Sequence, residues 1–366
     1  MKYSGCTRGF LLAGRRMAVP VALLAACLTA QTPRDGDFFI SQFQFANGEH
    51  LDQLKIHYMT LGQPARDRAG HVSNAVLILH GTGGSGKQFL APQFSNVLFG
   101  EGQLLDTSKY FIILPDDIGH GQSSKPSDGM RAHFPHYGYT DMVAAEYKLV
   151  TEGLHVDHLR LVMGTSMGCM HSWLWGEKKP DFMDALMPMA CLPVPIAGRN
   201  RIWRRMLINS IRDDPKWMNG DYKEQPPGLV NAIYLLMIAG SSALQMQKAA
   251  PTPQSADEYL AEQIRTRQKN LDANDLIWAV DSSRDYDPSG ELEKITAAVM
   301  YINSADDFIN PPELAIAERE IKRVKRGRFV LLPITDQTRG HGTHTVAAVW
   351  KQYLEELLRE SAHSSR

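Results

Sequence analysis

The sequence predicts an α/β protein: a mainly parallel, twisted sheet with flanking helices and a helical cap insertion. Three observations predict it. Short continuous apolar runs recur at Ala75–Leu79 ("AVLIL"), 110–114 ("YFIIL"), 159–163 ("LRLVM"), 185–190 ("ALMPMA"), 297–302 ("AAVMYI") and 329–332 ("FVLL"), separated by longer helical segments. Strands buried on both faces of a parallel sheet read this way. Between residues 191 and 294 the strand signal vanishes and only helical stretches remain, such as "RIWRRMLINSIRDD" and "SADEYLAEQIRTRQKNL". A structureless loop that long does not suit a compact domain, so this stretch reads as a helical cap inserted between two strands. It would cover the C-terminal ends of the strands, where open α/β sheets bind ligands. The third observation is "LVMGTSMGCMHSW" (161–173), which runs from an apolar stretch through Gly-x-Ser-x-Gly into a helix.

The elements follow in order. At the N-terminus Arg8, Arg15 and Arg16 precede an apolar, Ala-rich and Leu-rich segment from Met17 to Ala30, too short to span a bilayer but suited to an export signal. Within it "LAAC" (24–27) has the small-small-Cys form of a bacterial lipoprotein cleavage site, which would leave Cys27 lipidated; cleavage near Ala30 is the alternative. The expected location is therefore exported, as a periplasmic protein or an outer-membrane lipoprotein. Alternation in "FFISQFQF" and "LKIHYMTLG" around "ANGEH" predicts an antiparallel hairpin over 37–62. The domain expectation is an export signal at 1–30, a core built from 37–191 and 294–360, and a cap at 192–293.

Composition excludes several function classes. Its 366 residues suffice for one large domain with an insertion, and 43% apolar with 22% charged residues is ordinary for a globular chain. A net charge of −1 gives no reason to expect nucleic acid or an anionic membrane as partner. The basic run "IKRVKRGR" (321–328) reads as a solvated last helical turn with Gly327 as its stop. Beyond the export segment only Cys169 and Cys191 remain, which leaves open a single bridge in an oxidising compartment. Three His-x-x-His pairs (133/136, 155/158, 341/344) lack the acidic or Cys companions of a metal site, so no metal or cofactor is expected.

Ser166 carries the chemical reading. A strand, a sharp turn and a helix are the setting of a nucleophile elbow, and Gly164 and Gly168 leave room for its strained turn. A hydroxyl needs a base and the base an orienting acid, and in folds with this elbow the order along the chain is Ser, acid, His. Asp306 and Asp307 follow one apolar strand, and His341 lies in "RGHGTH" after the last. Asp307, four residues before Pro311, is preferred; Asp306 is the fallback. His344 is expected on the first turn of the C-terminal helix, and Asp336 as an ordinary loop acid. The loop "HGTGGSG" after 75–79 is positioned to supply oxyanion donors, so the backbone N–H groups of Thr82 and of Met167 are assigned that role. The spacing in "GTGGSGKQ" also matches a Walker loop, but Gln88 stands where Ser or Thr must meet magnesium.

The stretches "HFPHYGYTDMVAAEYKLV" (133–150), "GTSMGCMHSW" (164–173), "RRMLINSIRDDPKWMNGDY" (204–222) and "LDANDLIWAVDSSRDYD" (271–287) give the chain a resemblance to the α/β-hydrolase superfamily, and within it to the homoserine O-acetyltransferase-like group. The resemblance implies a Ser166–Asp307–His341 triad, a helical cap and acyl transfer through an acyl-enzyme. The group's acetyltransferases carry a cap arginine that holds the homoserine carboxylate and a tyrosine seven residues on; alignment puts Ile233 and Gly240 there. An Asp follows their catalytic His, where this chain has Gly342, and Cys169 replaces an elbow glycine. With these departures, and with little acetyl-CoA outside the cell, the expected activity is hydrolysis of a carboxylic ester or related acyl compound. An O-acyltransferase using acetyl-CoA is the alternative. A binding protein on an idle scaffold is a third class, which the complete nucleophile, acid, base and oxyanion set argues against. The expected partner is a small-molecule acyl substrate, with no transmembrane span; a lipid anchor at Cys27 and a homodimer are left open.

Overall fold

The computed structural model describes residues 32–362, so the expected export segment and Cys27 lie outside the described residues. Eight strands form one sheet among them: β1 (Arg34–Gln44), β2 (His50–Leu61), β3 (Ala75–Leu79), β4 (Phe111–Pro115), β5 (Leu161–Thr165), β6 (Ala185–Met189), β7 (Ala298–Ser304) and β8 (Gly327–Leu332). The order across the sheet is β1-β2-β4-β3-β5-β6-β7-β8. β1 and β2 form the antiparallel hairpin, and β2 joins β4 antiparallel; every pairing from β4 to β8 is parallel. The helices are α1 (Pro92–Leu98), α2 (Tyr139–Lys148), α3 (Met167–Lys178), α4 (Gly198–Arg212), α5 (Gly228–Ala239), α6 (Ala243–Ala249), α7 (Pro253–Gln268), α8 (Ala273–Asp281), α9 (Ile316–Glu320) and α10 (Ala347–Ala362).

The period of two in each strand distributes its side chains to two cores. In β3, Ala75, Leu77 and Leu79 face the core under α2, α3 and the cap, while Val76 and Ile78 face the core under α1 and α10, where Phe94 and Trp350 pack. The central strands β3, β4, β5, β6 and β7 are buried at every residue, which is why they read as unbroken apolar runs. β8 differs: it is the sheet's edge, and most of its residues are partly exposed. Gly327 also departs from expectation. It opens β8 rather than ending a helix, because the preceding helical turn closes at Arg323. Two arginines of the basic run are paired, Arg323 with Glu293 and Glu320, and Arg328 with Glu356.

Residues between β6 and β7 contain helices α4 to α8 and short 3-10 turns. α4 buries Trp203, Arg204, Leu207, Ile208 and Ile211 against the core, and α8 buries nearly all of its length. Among the described residues no single helix is long and apolar enough to cross a membrane.

Close approach of α3 to the sheet fixes the junction after β5. A Cβ on Gly164 would lie 1.9 Å from the Gly168 carbonyl oxygen, and one on Gly168 would lie 2.2 Å from that of Leu79. Only glycine fits both places. Gly164→Ala is expected to lose about 3 kcal/mol of stability or more in urea denaturation. Gly290→Ala, where an added Cβ meets nothing within 4 Å, should stay within about 0.5 kcal/mol of the parent.

Candidate active site

Ser166 sits between β5 and α3 with φ 56° and ψ −108°, a conformation that L residues rarely adopt. Its N–H donates to the Met189 carbonyl at the end of β6, and the Gly168 N–H donates to the His80 carbonyl at the end of β3. Those two bonds fasten the turn to its neighbouring strands and raise the serine side chain at the sheet's C-terminal edge.

His341 approaches from the loop after β8. Its Nε2 lies 2.8 Å from Ser166 Oγ, and its Nδ1 lies 3.0 and 3.1 Å from the two oxygens of Asp307, which follows β7. An ionised carboxylate only accepts, so the imidazole proton belongs on Nδ1 and leaves Nε2 to accept from the serine hydroxyl. Burial alone would raise the Asp307 carboxyl; the charge and N–H of His341, together with the Asn310 side-chain and backbone N–H groups, outweigh it and hold it below the usual range. Asp306, the fallback acid, turns away. It accepts from the Gly340 N–H and from the cap's Ser242 hydroxyl, tying the histidine loop to the cap. His344 lies in the 3-10 turn Gly342–Thr345, just before α10 rather than on it, and burial pushes its imidazole down to about 3. Asp336 is exposed and pairs with Lys248.

The loop after β3, expected to supply oxyanion donors, lies against Ser166. A Cβ on Gly81 would come within 3.2 Å of the Ser166 Cβ, and Thr82 follows directly. Met167 is the first residue of α3, where N–H groups lack an intrahelical acceptor; among the described residues no backbone carbonyl takes its N–H or that of Thr82. His80 steadies the loop, its Nδ1 donating to the Gly81 carbonyl at 2.8 Å while Nε2 accepts the Asp117 N–H at 3.1 Å. The phosphate-loop alternative fails here, because the Gly86 N–H is held by the Asp116 carboxylate. Ile233 is buried in α5 and Gly240 ends that helix, so neither position offers a charged group.

Beneath this loop lies a fully buried set that sequence reading does not reveal: Asp117, Glu146 and His171. Glu146 accepts from His171 Nδ1 at 2.7 Å and from Trp175 Nε1 at 2.6 Å. Burial raises Glu146 to about 7, and burial with the Glu146 charge holds Asp117 well above the carboxylate range. Their ligating atoms lie within 4.8 Å of one another, a spacing compatible with a metal ion. Two acids this close in a dry interior do not both ionise readily, and neither Asp117 carboxyl oxygen has a hydrogen-bond partner of good geometry. Nearby, Cys169 of α3 and Cys191 after β6 form a disulfide that joins the nucleophile's helix to the start of the cap segment. An apolar cavity of about 430 Å³ lies beside the acid loop, lined by Met170, Leu192, Ile196, Ile309, Asn310 and Leu314 among others.

Residues 74–331 match the family described as the alpha/beta hydrolase fold. The chain belongs to the α/β-hydrolase family. Within it the relatives are of the homoserine O-acetyltransferase-like group. The chain is 32% identical over 349 residues to a homoserine O-acetyltransferase from Chlorobaculum parvum, covering 86% of this chain and 93% of that one. It is 29% identical over 280 residues to a probable acyltransferase from Methanothermobacter thermautotrophicus, covering 76% and 84%. The structure of an acetylester hydrolase from Corynebacterium glutamicum superposes with a TM-score of 0.77 at 21% identity, over 89% of this chain and 96% of that one.

Of the α/β-hydrolase site residues expected from sequence, the structure brings together Ser166, Asp307 and His341 by hydrogen bonds and sets Thr82 and Met167 beside them. Sequence reading missed Asn310, three residues past Asp307, and His80, although both lie in motifs already singled out. The buried acids generate a stability prediction. Glu146 titrates higher folded than unfolded, so its neutral form stabilises fully below about 4.5, and that contribution falls as pH rises to about 7. Glu146→Gln should therefore lose less Tm than the parent between pH 5 and 8 in thermal melts.

Proposed function

We propose that this chain is a serine-dependent acyl hydrolase acting on a carboxylic ester or related acyl compound through an acyl-enzyme on Ser166. The observation that carries this reading is the continuous hydrogen-bonded chain Ser166–His341–Asp307 on a strained elbow with two open N–H groups alongside. His341 takes the hydroxyl proton as Ser166 attacks the acyl carbonyl, and Asp307 keeps the imidazole in the tautomer that can do so. The N–H groups of Thr82 and Met167 stabilise the oxyanion, each worth roughly 3 kcal/mol in the transition state. His341 returns the proton to the leaving alcohol and then activates the water that releases the acyl group. The apolar cavity beside the acid loop suits the hydrocarbon part of a substrate.

Export from a bacterial cell, with Cys27 as a lipid anchor, belongs to the same proposal. A Cys169–Cys191 bridge suits an oxidising compartment, where water is abundant and acetyl-CoA is not. The named relatives favour the alternative, O-acyl transfer from acetyl-CoA. Against it stand Ile233 and Gly240, which offer no grip for an amino-acid carboxylate at the positions the alignment assigns.

The test is to incubate the mature protein with p-nitrophenyl esters, and with acetyl-CoA in the presence and absence of homoserine, following turnover and the mass of the Ser166 peptide. Ester turnover with an acyl adduct on Ser166 and no response to acetyl-CoA is expected. Acylation by acetyl-CoA that homoserine discharges would establish the transferase instead. Ser166→Ala and His341→Ala should each fold normally and lose roughly 10⁴-fold or more in kcat, because the members act as a unit.

A further inference from the structure

Behind the loop after β3 the cap buries a cation that no acid among the described residues neutralises. Arg204, on the inward face of α4, is 3% exposed. Its Nε–H donates to Asn200 Oδ1 at 2.9 Å, and Nη1 donates to Ser283 Oγ at 3.3 Å and the Val280 carbonyl at 3.5 Å. All three acceptors are neutral. Among the described residues no carboxylate pairs with it, and the other charged side chain acting on it is a second cation, Arg201. The C-terminal carbonyls of α8 supply about half a unit of negative charge, which is no counter-ion. A buried charge is ordinarily retained with an opposite charge beside it, so a bound anion would relieve this arrangement.

Two more buried polar atoms converge there. The Tyr139 side chain is wholly buried, and its hydroxyl lies beside both the Arg204 guanidinium and the Thr82 hydroxyl. Neither hydroxyl has a partner of good hydrogen-bonding geometry. Thr82 is the residue whose backbone N–H is assigned to the oxyanion in the proposed mechanism, and Tyr139 connects it to Arg204 of α4. A guanidinium with the Tyr139 hydroxyl beside it and the Thr82 hydroxyl next in line offers the kind of donors that a carboxylate accepts.

We infer that Arg204, Tyr139 and Thr82 form a recognition site for an anionic group of the substrate, which makes the preferred substrates esters that carry a carboxylate close to the scissile bond. The identity of the ligand rests on the ester-hydrolase reading; the binding of an anion does not. The carboxylate can belong to the acyl side or to the alcohol side. Two ester pairs distinguish these, each pair differing by one charge: monomethyl against dimethyl succinate, and 3-acetoxypropanoate against its methyl ester.

Thermal shifts are measured on Ser166→Ala and hydrolysis on the parent. The expected result is that the anionic member of one pair stabilises Ser166→Ala more than its neutral counterpart and is hydrolysed with the higher kcat/KM. Arg204→Gln should lower that anionic-to-neutral ratio by about 30-fold or more, and Tyr139→Phe should lower it less. Equal binding and reaction of both members overturns the inference, as does an Arg204→Gln variant that slows both alike, the behaviour of a purely structural residue. Should Arg204→Gln not fold, Tyr139→Phe and inhibition of the parent by succinate provide the same readouts. Failure of the ester-hydrolase reading looks different: no ester is turned over, while anion binding to Ser166→Ala and its loss on adding Arg204→Gln remain measurable.

Discussion

The site depends on one backbone constraint, the positive φ of Ser166. A residue in that region costs about 1–3 kcal/mol and persists only where its surroundings over-determine it. Here they do. The strands on either side hold the turn through the Met189 and His80 carbonyls, α3 presses so close that Gly164 and Gly168 admit no Cβ, and the Cys169–Cys191 bridge ties the first turn of that helix to the end of β6. The strain lifts the hydroxyl off the sheet and aims the helix N-terminus at the point where an acyl carbonyl would sit. Both effects come from one turn.

Polar groups around that turn are arranged in layers of decreasing access to water. Nearest the surface, His341 bridges Ser166 and Asp307, and Asn310 locks the acid. One layer down, His80 holds the oxyanion loop through Gly81. Deeper still, burial disfavours the charge of both acids, raising Glu146 to about 7 and Asp117 well above the carboxylate range. Negative charge is thus favoured on Asp307, against the His341 ring, and disfavoured on the two acids beneath the loop after β3. The cap completes the outer wall: Ser242 reaches Asp306 and so fixes the chain beside His341, and Arg204 lies buried beside Tyr139.

What the sequence made legible follows from the range of the interactions involved. The central strands could be read to within two residues, because a strand buried on both faces is apolar throughout. β8 was harder: at the edge its pattern is mixed, and Gly327 looked like a helix stop when it is a strand start. The hydrogen-bonded set Ser166, His341 and Asp307 follows the order expected along the chain, but Asp306 and Asp307 are separated only by the direction in which each side chain points. The Asp117–Glu146–His171 set draws on the loop after β4, α2 and α3, and the Thr82–Tyr139–Arg204 set on the loop after β3, α2 and α4. No local pattern marks such convergence. Arg204 in particular reads as one of several arginines in "GRNRIWRRM", and only the packed helix turns it inward.

The central claim is that His341 and Asp307 activate Ser166 in the resting protein. The most direct measurement is the rate of covalent labelling by an organophosphonate fluoride, with the modified peptide identified by mass spectrometry, in the parent and in Asp307→Asn. The account predicts a single adduct on Ser166 in the parent and labelling slowed by roughly 10³-fold or more in the variant, whose imidazole no longer holds the required tautomer. Labelling at another residue, or an unchanged rate in Asp307→Asn, would contradict it.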